Sequence, residues 1–379
     1  MRVCNGLVLQ KRLDYVGKLF ALLFVVLSCC FGQTAQVAEA SAIYLPSAIV
    51  DGNSPSVWVD GQLKIFTSTG DPILMGGTSL FDLWQDNPPV ISPKDHFPIW
   101  IESVWRDDDG TIYAWYHHEP QGMCGGKLTA PEIGALVSKD NAQTFQDLGI
   151  VLSSADPVNC GAQNGFFAGG HGDFSVVLDR ERSFFYFLFG NYGGPAANQG
   201  IAVARMAFED RARPAGAVYK LALGAWTEPG IGGEVTPIVP VRSGWERADT
   251  DAFWGPAVHW NTALERYVVL LNHACCKSDW PQEGIYIMFG KDLSDPATWT
   301  TPSKLLDASQ IGFAPGYYPQ VMGIGPGETD SLAGDQPRLF IKGVSKWQIF
   351  FGSPQPEDPV VVPDDPEPSD AVGRPKINK

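Results

Sequence analysis

The chain has 379 residues, a formal charge of −15 and a pI near 4.8. A surface of that sign repels phosphates over most of its area, which excludes nucleic acid as the partner and leaves neutral or cationic ones. Aromatic residues make up 12% and apolar residues 44% of the sequence, enough bulky material for a large core, so the body of the chain is not disordered.

In chain order, residues 1–40 read as a targeting segment. Arg2, Lys11, Arg12 and Lys18 precede the apolar run Leu19 to Leu27, and Ala38-Glu39-Ala40 offers a small-residue cleavage site. That run is too short to span a bilayer. A second reading takes Val26-Leu27-Ser28-Cys29 as a lipobox that would leave the protein lipid-anchored through Cys29. The protein is thus expected to be secreted or periplasmic, or tethered through Cys29. Residues 41–352 are assigned to one domain, and 353–379, rich in Pro, Asp and Glu, to a disordered acidic tail.

Within the domain one layout recurs: a strand with a polar or Pro-containing start, a tight turn, then an aromatic-rich strand ending in polar residues. The copies are Ser54 to Val59 with Leu63 to Phe66, Glu102 to Trp105 with Thr111 to Tyr116, Asp173 to Leu178 with Phe184 to Phe189, Trp254 to Trp260 with Tyr267 to Leu271, and Tyr318 to Met322 with Arg338 to Ile341. Third strands follow at Ile133 to Ser138, Ile201 to Met206, Ile285 to Phe289 and Trp347 to Phe351. Radial repetition of small antiparallel sheets predicts an all-β, five-bladed β-propeller; a two-sheet sandwich is the alternative. Ser138-Lys139-Asp140-Asn141-Ala142-Gln143-Thr144-Phe145 resembles the Asp-box turn of sialidase-type propellers, which braces a hairpin and does no chemistry.

In an antiparallel blade the start of the inner strand and the end of the second strand share one face. This sorting gathers Glu102, Asp173, Asp251, Trp254 and Tyr318 from strand starts with His117, His118, Glu119, Asn191, Tyr192, Asn272 and His273 from strand ends, and His171 just ahead of Asp173. Alternation turns only one of His117 and His118 toward the axis. Convergent polar groups in a central funnel make a binding site. Glu102 and Asp173 are the carboxylates that can divide glycoside hydrolysis, one protonating the leaving oxygen while the other activates water or attacks the anomeric carbon. His117, His171 and His273 would position substrate. With Asp173 they could also hold a divalent metal, but no compact ligand motif is present, so no cofactor is assigned. Trp84, Tyr192, Trp254, Trp280, Tyr317 and Tyr318 are candidates for stacking on a sugar ring.

Cys124, Cys160, Cys275 and Cys276 lie on the same face and are expected to form disulfides that tie mouth loops together. Three pairings are open, one of which is a vicinal Cys275–Cys276 bond.

The layout resembles the five-bladed glycoside hydrolases of the arabinanase, xylosidase and invertase-like superfamily over residues 45–352. Trp254-Gly255-Pro256-Ala257-Val258-His259-Trp260 is similar to that group's W-A-P-x-V-x-Y segment, and Ser138-Lys139-Asp140 and Lys291-Asp292-Leu293-Ser294-Asp295-Pro296 to its surface turns. The resemblance implies a carbohydrate-active monomer with an oligosaccharide or polysaccharide partner, acting as a hydrolase with Glu102 and Asp173 as its acid/base pair. Where that superfamily carries an Asp just before Pro in its first blade, this chain has Ser54-Pro55, with Asp51 three residues upstream. The departure leaves two readings: hydrolysis rearranged around Glu102, Asp173 and the histidines, or a glycan-binding module that cleaves nothing.

Overall fold

A computed structural model describes residues 35–46, 50–278, 280–311 and 318–352. The basic and apolar parts of the expected targeting segment, Cys29, Tyr317 and the expected tail lie outside the described residues. Strand β1 (Ala35–Tyr44) comes first. Blade 1 follows as β2 (Ser56–Val59), β3 (Gln62–Ser68), β4 (Pro72–Ser79) and β5 (Asp82–Gln85). Blade 2 comprises β6 (Val90–Ser92), β7 (Ile99–Arg106), β8 (Ile112–His118), β9 (Glu132–Ser138) and β10 (Thr144–Leu152). Blade 3 is built from β11 (His171–Leu178), β12 (Phe184–Asn191), β13 (Gly200–Ala207), β14 (Val218–Ala222), β15 (Ala225–Pro229) and β16 (Val239–Pro240). Blade 4 holds β17 (Asp251–Asn261), β18 (Arg266–Cys275), β19 (Gln282–Gly290) and β20 (Ser303–Asp307). Blade 5 uses β21 (Gln320–Met322), and after β22 (Leu332–Ala333), which pairs back onto β17, it adds β23 (Arg338–Ile341) and β24 (Val344–Phe351). The protein is a five-bladed β-propeller.

The turns explain the hairpins. Asp60 and Gly61 both take positive φ, 50° and 80°, as a two-residue turn matched to strand twist requires. Asp179 closes the β11–β12 hairpin by accepting from the amides of Ser183 and Phe184 at 2.6 and 3.1 Å. Asn261 does the same for β17–β18 through the amides of Ala263 and Leu264 at 3.2 and 2.9 Å. The Asp-box-like turn joins β9 to β10: the Asp140 carboxylate takes hydrogen bonds from Ser138 Oγ, Thr144 N and Thr144 Oγ1 at 2.9, 2.9 and 2.7 Å.

The core lies between blades, with one apolar cluster at each of the five junctions. Phe66 and Tyr116 pack between blades 1 and 2, Trp115 and Phe187 between 2 and 3, Val177 and Val269 between 3 and 4, Val268 and Leu339 between 4 and 5, and Phe340 and Ile65 between 5 and 1. Side chains near the axis reinforce the ring. Ser103 Oγ accepts from Val176 N of the next blade at 2.7 Å, and Ser175 Oγ from Val258 N at 3.0 Å.

Blade 5 closes the ring with both ends of the described chain, β1 lying against β24 from Ala35↔Phe351 to Tyr44↔Val344. The residues Ala38-Glu39-Ala40, read from sequence as a cleavage site, therefore sit inside a paired strand. Among the described residues no helix is long and apolar enough to cross a membrane.

Candidate active site

Two interruptions of the sheet create the site. The β7–β8 register slips between Ile101 and Ser103, and the β11–β12 register between Gly172 and Phe174. The extra residue at each slip is a carboxylate, Glu102 and Asp173. A bulge leaves its extra residue unpaired and re-aims it, and here both side chains line one central cavity. Asp173 pays in conformation, with φ at +42°, a region that side chains other than glycine rarely adopt.

The bulge in β11 also frees two successive amides to reach into blade 2. Asp173 N–H donates to Nδ1 of His117 at 3.1 Å and Phe174 N–H donates to Oε2 of Glu102 at 2.8 Å. Nε2 of His117 faces Glu119 Oε1 at 3.4 Å, and Glu102 Oε1 lies 3.8 Å from His117 Nδ1. One carboxylate oxygen from each of Glu102 and Asp173 and one ring nitrogen of His117 fall within 4.8 Å of one another. Behind Asp173, the phenol of Tyr192 donates to Oδ2, and its ring stacks on Phe167 at 4.3 Å.

Burial dominates the electrostatics, because a charged carboxylate in a dry site lacks its water shell. Glu102 and Asp173 are 2% and 3% exposed. Burial, opposed by His117 and helped by the charge of Asp173, pushes Glu102 up to about 8. Burial also raises Asp173, against the pull of His117 and the Tyr192 hydrogen bond. Burial lowers His117, while the hydrogen bond to Glu119 and the charges of Glu102 and Asp173 raise it only as long as those carboxyls are ionised. The Asp173 N–H, fixed by the fold, needs a lone pair on Nδ1. A neutral His117 with its proton on Nε2 satisfies that donor and the contact to Glu119, and it is the state that accompanies a protonated Glu102. The cluster as a whole holds on to a proton that separate side chains would release near neutral pH.

The cavity encloses about 550 Å³ and takes lining residues from every blade, among them Asp51, Trp100, Glu119, Trp254 and Tyr318. Asp51, which the sequence reading noted but did not assign to the site, lies on the approach to β2. Asp51 is exposed to the cavity, and partial burial and Glu119 raise its pKa while His117, Lys342 and a hydrogen bond from Tyr318 act to lower it. Gly52, at φ +153°, permits the approach: a Cβ there would stand 3.2 Å from Glu102 Oε1. The only signal in the sequence was an Asp displaced by three residues from the expected place before Pro55.

Of the residues expected at the mouth, Glu102, His117, Glu119, Asp173, Trp254 and Tyr318 line the cavity, as does Trp280. Tyr192 stands one layer behind Asp173. The others do not join them. His118 faces the opposite side of β8, with Nδ1 3.3 Å from Pro98 O and its ring 5.5 Å from His96. His171 is buried against Phe189 at 4.8 Å, and burial holds it well below its usual range. Asn191 spends its amide on Asn198 O at 2.7 Å, and Asn272 is buried within β18. His273 sits between Asp251 at 2.8 Å and Glu283 at 2.9 Å, in a separate ion cluster. Trp84 lies on the outer strand of blade 1, 40% exposed.

The three imidazoles proposed for a metal therefore occupy three different surroundings. Among the described residues, the groupings close enough to share an ion are Glu102–His117–Asp173 and Asp251–His273–Cys275, with one imidazole each. Cys275 is bonded to Cys276, and Cys124 to Cys160. Of the three open pairings, the structure has the one containing the vicinal bond. The Cys124–Cys160 bond joins the loop after β8 to the loop before β11, both on the cavity wall.

No protein-family model matches the sequence, and no curated protein is detectably similar to it. Solved structures do match in fold. The Cellvibrio cellulosa α-L-arabinanase, complexed with arabinohexaose, superposes with a TM-score of 0.50 at 13% identity over 81% of this chain and 95% of that one. The Bacteroides thetaiotaomicron endo-arabinase gives 0.46 at 14% identity, covering 83% of this chain and 98% of that one. The Phanerochaete chrysosporium exo-β-1,3-galactanase gives 0.48 at 12% identity; the chain spans 64% of that protein's length, with 83% of its own residues matched. The expected likeness to five-bladed propellers of the glycoside hydrolase type holds at the level of the fold.

Proposed function

We propose that the protein hydrolyses glycosidic bonds of an oligosaccharide or polysaccharide, with Glu102 as the general acid. The observation that carries this reading is a buried carboxyl, pushed up to about 8, on a cavity walled by aromatic rings and open to water. At neutral pH such a group is protonated and can give its proton to the departing oxygen, as an acid with an ordinary pKa cannot.

Glu102 and Asp173 were expected to act as a pair across the scissile bond. One carboxylate oxygen of each lies within 4.8 Å of one of the other, and both groups are almost fully buried. Asp173, tied to Tyr192, then serves as the charge that keeps Glu102 protonated, and the second catalytic carboxylate is Asp51. Asp51 is exposed and lines the cavity, so it can take a proton from an attacking water or attack the anomeric carbon itself. As the carbon–oxygen bond breaks, the electron pair stays on the leaving oxygen and the Glu102 proton joins it. Glu119 holds the Nε2–H of His117, keeping the imidazole oriented.

The disulfides support action in an oxidising compartment, outside the cytoplasm. A propeller of the same fold is known with arabinohexaose bound, so that sugar heads a panel with β-1,3-galactotriose and xylo-oligosaccharides. Product chromatography after incubation with the full-length protein tests the reading. Release of shorter sugars supports it, and binding without release overturns it in favour of a glycan-binding module.

A further inference from the structure

One wall of the cavity carries an aromatic surface that the proposed acid and base do not use. Phe166 lines the cavity and is 47% exposed, so one face of an apolar ring is open to a ligand there. Its ring centre lies 4.8 Å from that of Trp280, another lining residue.

The loop that presents Phe166 is held in place. Asn164, 2% exposed, accepts from the amides of Phe166 and Phe167 at 2.7 Å each and donates to the carbonyls of Phe167 and Trp245. Thr129 pairs with Phe167, with Thr129 N–H to Phe166 O at 3.0 Å and Ala168 N–H to Thr129 O at 2.7 Å. The Cys124–Cys160 bond ties the same two loops a second time. A ring exposed by accident does not need this much bracing, and a ring that must meet a ligand in a fixed orientation does. On the other side, Trp280 is packed against Trp245 and Trp254 at 4.6 and 5.6 Å, so the platform cannot retreat.

We infer that Phe166, backed by Trp280, is the stacking platform for a second sugar ring, the one next outward from the ring held at Glu102, and that this braced collar selects chains over single sugars. The inference rests on the carbohydrate reading above. The floor of the cavity belongs to the carboxylates, which converge from the strand starts, while Phe166 belongs to the connection between β10 and β11 and stands half in solvent. A chain with one residue at the floor must run out past this wall, and the C–H face of its second ring meets an aromatic surface already stripped of water on one side.

The test is a binding measurement in a Glu102→Gln background, so that it reads the platform whether or not hydrolysis occurs. Arabinohexaose and β-1,3-galactotriose are titrated by calorimetry beside arabinose and galactose. Phe166→Ala is expected to weaken the bound oligosaccharide about 5- to 10-fold, the size of an aromatic stacking contact, and to leave the matching monosaccharide unchanged, with Phe166→Tyr restoring the loss. Equal loss for both sugars, no loss for either, or no binding of either oligosaccharide at millimolar concentration overturns the platform. The carbohydrate hydrolase reading is judged separately, by product release from the unmodified protein.

Discussion

The amide of Asp173 donates to Nδ1 of His117 at 3.1 Å, across the junction of blades 2 and 3. This contact exists because Asp173 is the extra residue of a bulge, and it links the proton on His117 to the shape of the backbone that carries the neighbouring carboxylate.

Replacing the acid tests its role without emptying its place. Glu102→Gln keeps an oxygen to accept the Phe174 amide, so the fold should persist, with an unfolding midpoint close to that of the parent at the acid end, where Glu102 is protonated in both folded and unfolded chains. Turnover should fall about 10²- to 10⁴-fold. Activity within tenfold of the parent in a folded variant removes Glu102 from the mechanism.

Asp51→Asn should lose about 10²-fold or more in kcat. The residue is exposed rather than packed in the core, so stability should change little. Retention of full kcat would return the second role to Asp173 or Glu119.

The pH profile follows from the direction of the shifts. Glu102 must be protonated, so kcat/KM should fall on an alkaline limb centred near 8. Asp51 must be ionised, and its raised pKa places the acid limb above the ordinary value of 3.8. Stability has a definite sign as well. Glu102 holds its proton more tightly folded than unfolded, so the folded chain gains relative stability at low pH and loses it as pH rises from 4.5 through about 8. Denaturation midpoints of the parent and Glu102→Gln, compared across that range, should converge at the acid end and separate at the alkaline end, where the parent is the weaker. A difference that runs the other way contradicts the assignment.

Tyr192→Phe removes the phenol that donates to Asp173 and keeps the ring stacked on Phe167. Asp173 then ionises less readily, its charge presses less on Glu102, and the alkaline limb should move down by about half to one pH unit. A fall in rate with no movement of the limb would mean that Tyr192 serves packing alone.

Strand β1 supplies the prediction for the amino terminus. A chain beginning at Ser41 lacks the pairing of Ala35 to Glu39 with β24 and the packing of Ala35 and Val37 on the blade 4–5 core. It should be about 2 to 4 kcal/mol less stable than a chain beginning at Ala35, read from denaturant midpoints. Equal midpoints would show that the outer strand contributes nothing to closure.

The five hairpins were legible because their turns are local: Asp60-Gly61, the Asp179 loop and Asn261 announce themselves in a few residues. Glu102 and Asp173 were legible as polar residues opening apolar strands. The bulges were not, since a register slip depends on the partner strand. Sorting by strand ends alone therefore sent His171, Asn191, Asn272 and His273 to the mouth, when the sheet buries them or engages them elsewhere. Strand β4 was missed because Pro72, Gly76 and Gly77 blur its alternation. β1, which overlaps the end of the expected leader, was not legible as a strand because its small residues form one only against β24, some 300 positions later. Asp51 was passed over as a site residue because position before Pro55, rather than position in space, was the criterion.

The most direct test of the whole account is product release from arabinohexaose, β-1,3-galactotriose and xylo-oligosaccharides by the parent protein and by Glu102→Gln, followed by chromatography. The account predicts shorter sugars from at least one of these with the parent, and none above background with the variant, which still binds the same sugar. Binding without release by the parent, or equal release by both proteins, would contradict it.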